Sequence, residues 1–245
     1  MKNYKLVIEY DGTGYHGWQR QKNEPTVQAE IEHALAVMTR KKVVLNGSGR
    51  TDAGVHALAQ TANFRSEAGL SAEAFQMGLN SLLKADIVIK DCRVVDAEFH
   101  ARYAARGKVY QYRILNSRIP SAIQRHWVWH IRKELDFYAM QQAAVHVVGS
   151  HDFKAFEGVG SPRSTTVREV ARAEITRDSA GNIYFSIEAD GFLRYMVRNI
   201  VGTLVEVGRS KMTPEVFKTV LESRHRGNAG ATAPPQGLFL VKVLY

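Results

Sequence analysis

Two hydrophobic periodicities change places along the first hundred residues, and their order constrains the fold more than any other property of the chain. Tyr4 to Tyr10 alternates apolar and polar residues at a period of two, as a half-buried strand does. Beyond a loop from Asp11 to Gln21 the period lengthens. Val27, Ile31, Ala34, Leu35 and Met38 recur at helical spacing behind Thr26, a residue suited to an N-cap. Lys42 to Leu45 and Ala57 to Phe64 read as strands on either side of a Gly-rich turn, Ser71 to Leu83 as a second helix and Ile87 to Val95 as a further strand. The order βαββαβ predicts a mainly antiparallel sheet with helices on one face.

The second half repeats this theme less regularly. Lys108 to Leu115 reads as a strand, Leu135 to Val147 as a helix, and Val167 to Thr176 with Asn182 to Glu188 as a hairpin turning at Asp178 to Gly181. A helix over Leu193 to Val207 and a closing strand over Leu238 to Leu244 follow, and Trp127 and Trp129 alternate as core-facing strand residues. The pattern is a duplicated α+β architecture. Its expected parts are an N-terminal α/β domain over 1–105 and a C-terminal α/β domain over 106–245, a division that suits 245 residues when domains average roughly 150. The crossover falls in ARYAARGK, Ala101 to Lys108, and a second basic segment, Gly158 to Arg168, reads as an exposed loop.

Lys and Arg total 33 against 24 Asp and Glu, a formal charge of +9 that favours polyanionic partners, nucleic acid first among them. Cys92 is the single cysteine, which excludes an intramolecular disulfide, a Cys-rich zinc site and a CxxC redox pair, and points to a reducing, cytoplasmic compartment. The N-terminus enters strand pattern directly, without an apolar leader, and no stretch approaches the roughly 18 apolar residues of a membrane span. The expected protein is soluble and makes no membrane contact.

GSGRTDAGVHALAQ, Gly47 to Gln60, places three glycines, Arg50 and Asp52 between two strand patterns. It is not a Walker loop, because Gly54 is followed by Val55 and His56 where Lys and Ser or Thr are needed. The dinucleotide fingerprint fails as well, since Asp52 stands at its third glycine. Glycines here let backbone approach a ligand closely while holding a cation and a carboxylate two residues apart. A plain turn with Asp52 as its Asx residue satisfies the same sequence. Arg194 and Arg198 lie four apart on a predicted helix whose buried stripe is Met196, Ile200, Val201 and Leu204, so at least one arginine faces away from the core. Tyr110 and Tyr112 share one sheet face, as a core pair or a stacking platform. His126 and His130 are also four apart but lack a third ligand, and no metal site is expected.

GRTDAGVHA, Gly49 to Ala57, resembles the signature of the TruA family of tRNA pseudouridine synthases, and other segments agree in order. DGTGYHGWQRQ is similar to that family's first loop, RGKVYQYRI to its Lys-x-Tyr-x-Tyr strand, GFLRYMVRNIVG to its C-terminal helix and GLFLV to its final strand. The resemblance implies a pseudouridine synthase fold, two ferredoxin-like-related halves whose mainly antiparallel sheets form a central RNA-binding cleft. It implies conversion of uridine to pseudouridine at positions 38, 39 and 40 of the tRNA anticodon stem-loop by a homodimer that needs no cofactor. By the same resemblance Asp52 is catalytic, Arg198 keeps it ionised, Tyr110 stacks on the uracil and Leu238 closes the pocket. Arg50 is the candidate for holding the flipped state, and His56 is structural. Arg20, Gln21, Arg102, Arg106, Lys108, Arg163, Arg168 and Arg194 are candidate RNA-backbone contacts. The rivals are a related synthase acting on another RNA and a non-catalytic RNA-binding or chaperone protein. One departure stands out: Tyr195 occupies a position where relatives commonly carry His.

Overall fold

The computed structural model describes residues 1–158, 160 and 164–245, so Arg163 lies outside the described residues. Two compact units emerge: Met1–Arg106 with Phe239–Tyr245, and Gly107–Leu238. Both combine helices with a mostly antiparallel sheet, an α+β architecture. No helix among the described residues is long and apolar enough to cross a membrane.

In the first unit the elements are β1 (Lys2–Tyr10), α1 (Val27–Thr39), β2 (Asn46–Gly47), β3 (His56–Ser66), α2 (Ala72–Leu82) and β4 (Ile87–Val95). β1 is central and pairs antiparallel with both β3 and β4. The period-two pattern puts Tyr4, Leu6 and Ile8 on the buried face, where Tyr4, Phe64 and Phe75 form an aromatic cluster with ring centroids 4.8–5.2 Å apart. On the opposite face Asn3 and Asn63 hydrogen-bond each other and the main chain of residues 96–101. Lys5 lies there with its ammonium 3.9 Å from the Tyr245 ring centroid, and burial lowers its pKa.

Two local expectations change. Lys42 to Leu45 does not form a strand; pairing with β3 begins only at Asn46. Val43 and Leu45 are buried and Lys42 and Val44 exposed, so the alternation is real. Side chains of α1 take the backbone groups instead: Leu45 N–H donates to Glu32 Oε1 at 2.9 Å, and Gln28 Nε2 donates to the Leu45 carbonyl at 3.0 Å. Thr26 occupies the N-cap of α1 in extended conformation, but its buried hydroxyl has no partner among the described residues.

The second unit contains β5 (Gly107–Asn116), β6 (Trp129–Ile131), α3 (Phe137–Ala144), β7 (Gly149–Asp152), β8 (Val167–Arg177), β9 (Asn182–Ala189), α4 (Met196–Gly208) and α5 (Pro214–Ser223). Its sheet runs β5, β9, β8, β7 in antiparallel order, with β6 parallel to β5. α4 is the core helix: of its thirteen residues only Arg198 and Glu206 escape burial, a pattern expected of a helix packed on every side. It begins at Met196, later than its sequence suggests, because Tyr195 has φ 61° and cannot belong to a right-handed helix. α3 begins at Phe137, where Asp136 Oδ1 accepts the Ala139 N–H, and tightens to a 3₁₀ turn after Ala144. Trp127, expected in the core, is 40% exposed in a turn ahead of β6. The last strand, β10 (Leu238–Leu244), re-enters the first unit at Phe239 and runs parallel to β3, pairing Phe239 with His56 and Leu240 with Ala57.

Candidate active site

Asp52 sits in the loop from Ser48 to Val55 that leads into β3, and main chain holds this loop more than side chains do. The loop after β1 is laced to it: Trp18 N–H donates to the Thr51 carbonyl at 3.1 Å and Gly54 N–H to the Tyr15 carbonyl at 3.2 Å. A β-carbon on Gly12 would fall 2.1 Å from the Val55 carbonyl oxygen, and one on Gly17, at φ 87°, 2.5 Å from that of Thr51. Glycine is therefore required at both places for the two backbones to touch. The Asp52 carbonyl accepts the Val55 N–H at 3.2 Å, closing a turn in which Gly54 takes φ 76°.

Side chains secure the ends of the loop. Tyr10 OH lies 2.7 Å from Thr51 Oγ1, and burial pushes the phenol's pKa up, keeping it a neutral hydrogen-bonding group. Ser48 Oγ donates to Gln60 Oε1 at 2.6 Å, and Gln60 Nε2 returns a bond to the Gly49 carbonyl at 3.1 Å. His56 is 1% exposed and its ring stacks on Phe239 at 4.6 Å. Gly12 N–H donates to its Nδ1 at 3.0 Å, while Asp11 Oδ1 lies 3.1 Å from the same nitrogen. The first contact needs a lone pair on that nitrogen and the second a proton, so the two are alternatives. Asp52 itself is half-buried, Arg50 exposed and Ala53 exposed, so the tip carries a carboxylate and a guanidinium at the rim of the unit.

Tyr110, Arg198 and Leu238 belong to the second unit. Tyr110, on β5, is nearly buried and meets Phe192 edge-on at 5.0 Å. Tyr112, two residues on, is fully buried and donates its hydroxyl to the Pro234 carbonyl at 2.6 Å. Burial raises its pKa, and the charge of Arg198 partly opposes that rise. Leu238 is buried at the start of β10.

Arg198 is held on two sides. Its Nε donates to the Ala233 carbonyl at 2.8 Å, and its guanidinium lies 4.9 Å from the Tyr195 ring, which also faces the guanidinium of Arg194 at 4.6 Å. Tyr195 is fixed in turn: Arg194 donates to its hydroxyl at 2.9 Å, and Gly158 packs so closely that a β-carbon there would lie 2.5 Å from the ring. The carbonyl partner comes from a segment strapped along α4. Gly230 N–H donates to Thr203 Oγ1 at 2.9 Å, Thr232 Oγ1 to Asn199 Oδ1 at 2.7 Å, and Ala233 N–H to the Arg198 carbonyl at 3.0 Å. Arg226 ties the strap through Ala229, Asn199 and Thr232. This strap has only a faint sequence signal in Asn199 and Thr203, polar residues four apart on an otherwise apolar helix face.

The peripheral cations are dispersed. Arg20 pairs with the buried carboxylate of Glu32, and Gln21 donates to the His16 carbonyl at 2.8 Å. Arg102 and Arg106 are exposed and Lys108 is half-buried, while Arg168 reaches the Thr165 carbonyl at 3.3 Å. His130 Nε2 is engaged with the Ser117 carbonyl at 2.8 Å, and no group of three or more possible metal ligands occurs among the described residues.

The profile of a family described as tRNA pseudouridine synthase matches residues 6–104 and 143–245. Proteins named tRNA pseudouridine synthase A are similar over the full length of both chains, at 51% identity in Acetivibrio thermocellus and 46% in Clostridium perfringens. A protein of that name from Thermoanaerobacter sp. is 45% identical, again with both chains covered completely. With the profile spanning most of the sequence and these relatives aligned end to end, the chain belongs to the tRNA pseudouridine synthase family.

Proposed function

We propose that this protein isomerises uridine to pseudouridine at positions 38, 39 and 40 of the tRNA anticodon stem-loop, with Asp52 as the catalytic carboxylate. Membership of the family supports the reaction. The observation that carries the residue assignment is the main-chain clamp on residues 48–55, which presents a half-buried carboxylate at a rigid turn instead of a mobile tip.

The reaction breaks the bond between uracil N1 and ribose C1′, turns the detached base and joins C5 to C1′. C5 loses a proton and N1 gains one, so nothing is oxidised or reduced overall. Asp52 acts either as a nucleophile at C1′ or as a base on the sugar. Arg198 supplies the cation that favours the ionised carboxylate, and its bond to the Ala233 carbonyl and its stacking on Tyr195 restrict where that charge can go. Tyr110 stacks on the uracil with its phenol near C5, and Leu238 forms the apolar wall that keeps the loose base from water. Uridine must first leave the helical stack, which costs a few kcal/mol, and Arg50 offsets part of this by occupying the vacated space and contacting phosphate. A homodimer with RNA bound across both subunits, working in the cytoplasm, completes the reading.

The test is to incubate wild type and Asp52→Asn with unmodified tRNA and map pseudouridine by position. Wild type is expected to modify the anticodon arm alone, and the variant to lose on the order of 10³-fold or more in kcat with tRNA affinity retained. Full activity of the variant refutes the role of Asp52. Modification elsewhere refutes the position, and wild-type inactivity on every tRNA refutes the reaction.

A further inference from the structure

A cavity of about 810 Å³ opens in the second unit between β6, the first turn of α3 and the C-terminal end of α4. Its wall carries Arg132, Lys133, Arg177, Arg209 and Lys211, five cationic side chains from three separate stretches of sequence. Arg209 and Lys211 share the Glu206 carboxylate at 2.9 and 3.0 Å. Arg132, Lys133 and Arg177 are exposed and make no ion pair among the described residues. Of the two carboxylates in the wall, Asp136 is turned back to cap α3 and Glu134 is exposed. Five cations therefore meet three carboxylates, Glu206 included, and two positive charges remain uncompensated. Tyr138 adds a 76%-exposed aromatic ring to the wall.

We propose that this cavity is a second anchoring site for the phosphodiester backbone of the RNA substrate, engaging it outside the hairpin that is modified. This rests on the reading of the protein as a tRNA pseudouridine synthase. Cations spread around a wide opening suit a chain of phosphates better than a single small anion, and an exposed tyrosine among them offers a surface on which an unpaired base or a ribose packs. The location suits the same RNA. Gly208 lies ten residues beyond Arg198 in α4, about 15 Å along the helix axis at ~1.5 Å per residue. That span is short against an RNA of several stems, so an RNA engaged at the Arg198 end of α4 is long enough to reach past its other end.

The experiment compares wild type with the triple variant Arg132→Gln, Lys133→Gln, Arg177→Gln. These side chains are exposed, and thermal unfolding checks that the fold is retained. Dissociation constants are measured for full-length tRNA and for an isolated anticodon-arm hairpin over a range of salt concentrations. The variant should bind full-length tRNA roughly tenfold more weakly near ~0.15 M salt, with the slope of log affinity against log salt reduced by about two to three. Its affinity for the hairpin should stay within about twofold of wild type, as should its kcat on saturating tRNA. Unchanged affinity for full-length tRNA, or an equal loss on both RNAs, overturns the proposal. Saturable binding of inorganic pyrophosphate to wild type but not to the variant, with tRNA affinity equal in both, assigns the cavity to a small phosphate and also overturns it. Failure of wild type to modify any tRNA refutes the underlying function instead, and the two failures are thus separable.

Discussion

Gly202→Ala sets two effects of opposite sign against each other. Gly202 lies in the interior of α4, where alanine is intrinsically better than glycine by about 1 kcal/mol, so helix propensity alone predicts stabilisation. The structure predicts the reverse. A β-carbon at 202 would fall 1.7 Å from the Ala231 carbonyl oxygen and 3.0 Å from its carbon, so the two must separate by more than an ångström. α4 is buried on nearly all sides and Ala231 is exposed, so the strap lifts and the helix stays. Lifting stretches the Gly230 N–H bond to Thr203 and the Arg198 Nε bond to the Ala233 carbonyl, which at about 1 kcal/mol each, with residual overpacking of ~1 kcal/mol, total about 3 kcal/mol. The net destabilisation is about 2 kcal/mol, or roughly 6 °C in Tm for a protein of this size. Because the lifted strap also carries the Ala233 carbonyl, kcat should fall about tenfold as the Arg198 Nε bond to it is stretched, with KM little changed. Differential scanning calorimetry and single-turnover kinetics measure both effects. A raised Tm, or an unchanged Tm with full activity, refutes the reasoning.

Two more predictions concern residues whose roles emerge only in three dimensions. Tyr195→Leu removes the ring between Arg194 and Arg198 and should lower kcat about fivefold to tenfold, from ~1 kcal/mol of cation–π interaction, whereas Tyr195→Phe retains most of the rate; wild-type kcat in the leucine variant contradicts this. Asp178 in the β8–β9 turn has its pKa lowered mainly by the Asn182 side-chain amide, with the Tyr184 hydroxyl and the backbone N–H groups of Asn182 and Ala180 adding to it against slight burial. A folded-state pKa below the unfolded value of about 3.9 means that the contribution is complete above that pH and is lost as pH falls through the lowered value. The stability gap between wild type and Asp178→Asn should therefore be constant at neutral pH and close below about pH 4 in denaturation midpoints, and a gap that persists unchanged into stronger acid counts against it.

Elements whose backbone bonds are local or follow a regular ladder were legible in the sequence. The Asp178 to Gly181 turn, β4 and the buried stripe of α4 all stand where periodicity and turn chemistry indicate. α5 carries a signal of the same kind, with Thr213 as N-cap, Pro214 in the first turn and Phe217, Val220 and Leu221 at helical spacing. What escaped depends on partners distant in sequence. Lys42 to Leu45 alternates like a strand, yet Gln28 and Glu32 capture its backbone. Arg20 reads as a surface cation until Glu32 turns out to be buried beside it. In the candidate site, the Gly-rich loop announced close backbone approach, but not that Gly12 and Gly17, more than thirty residues upstream, would supply the other backbone.

The return of the chain to its first unit at Phe239 sets an order of assembly. On a ribosome that adds ~5–20 residues per second, Met1–Arg106 emerges and waits roughly ten seconds while 107–238 is made. Through that interval the His56–Ala57 stretch of β3 has no β10 to pair with, and the ring that stacks on His56 does not yet exist. The loop bearing Asp52 thus receives its last neighbour only after Arg198 and Tyr110 have been synthesised, so a nascent or truncated chain carries the carboxylate before the segment that secures its flank.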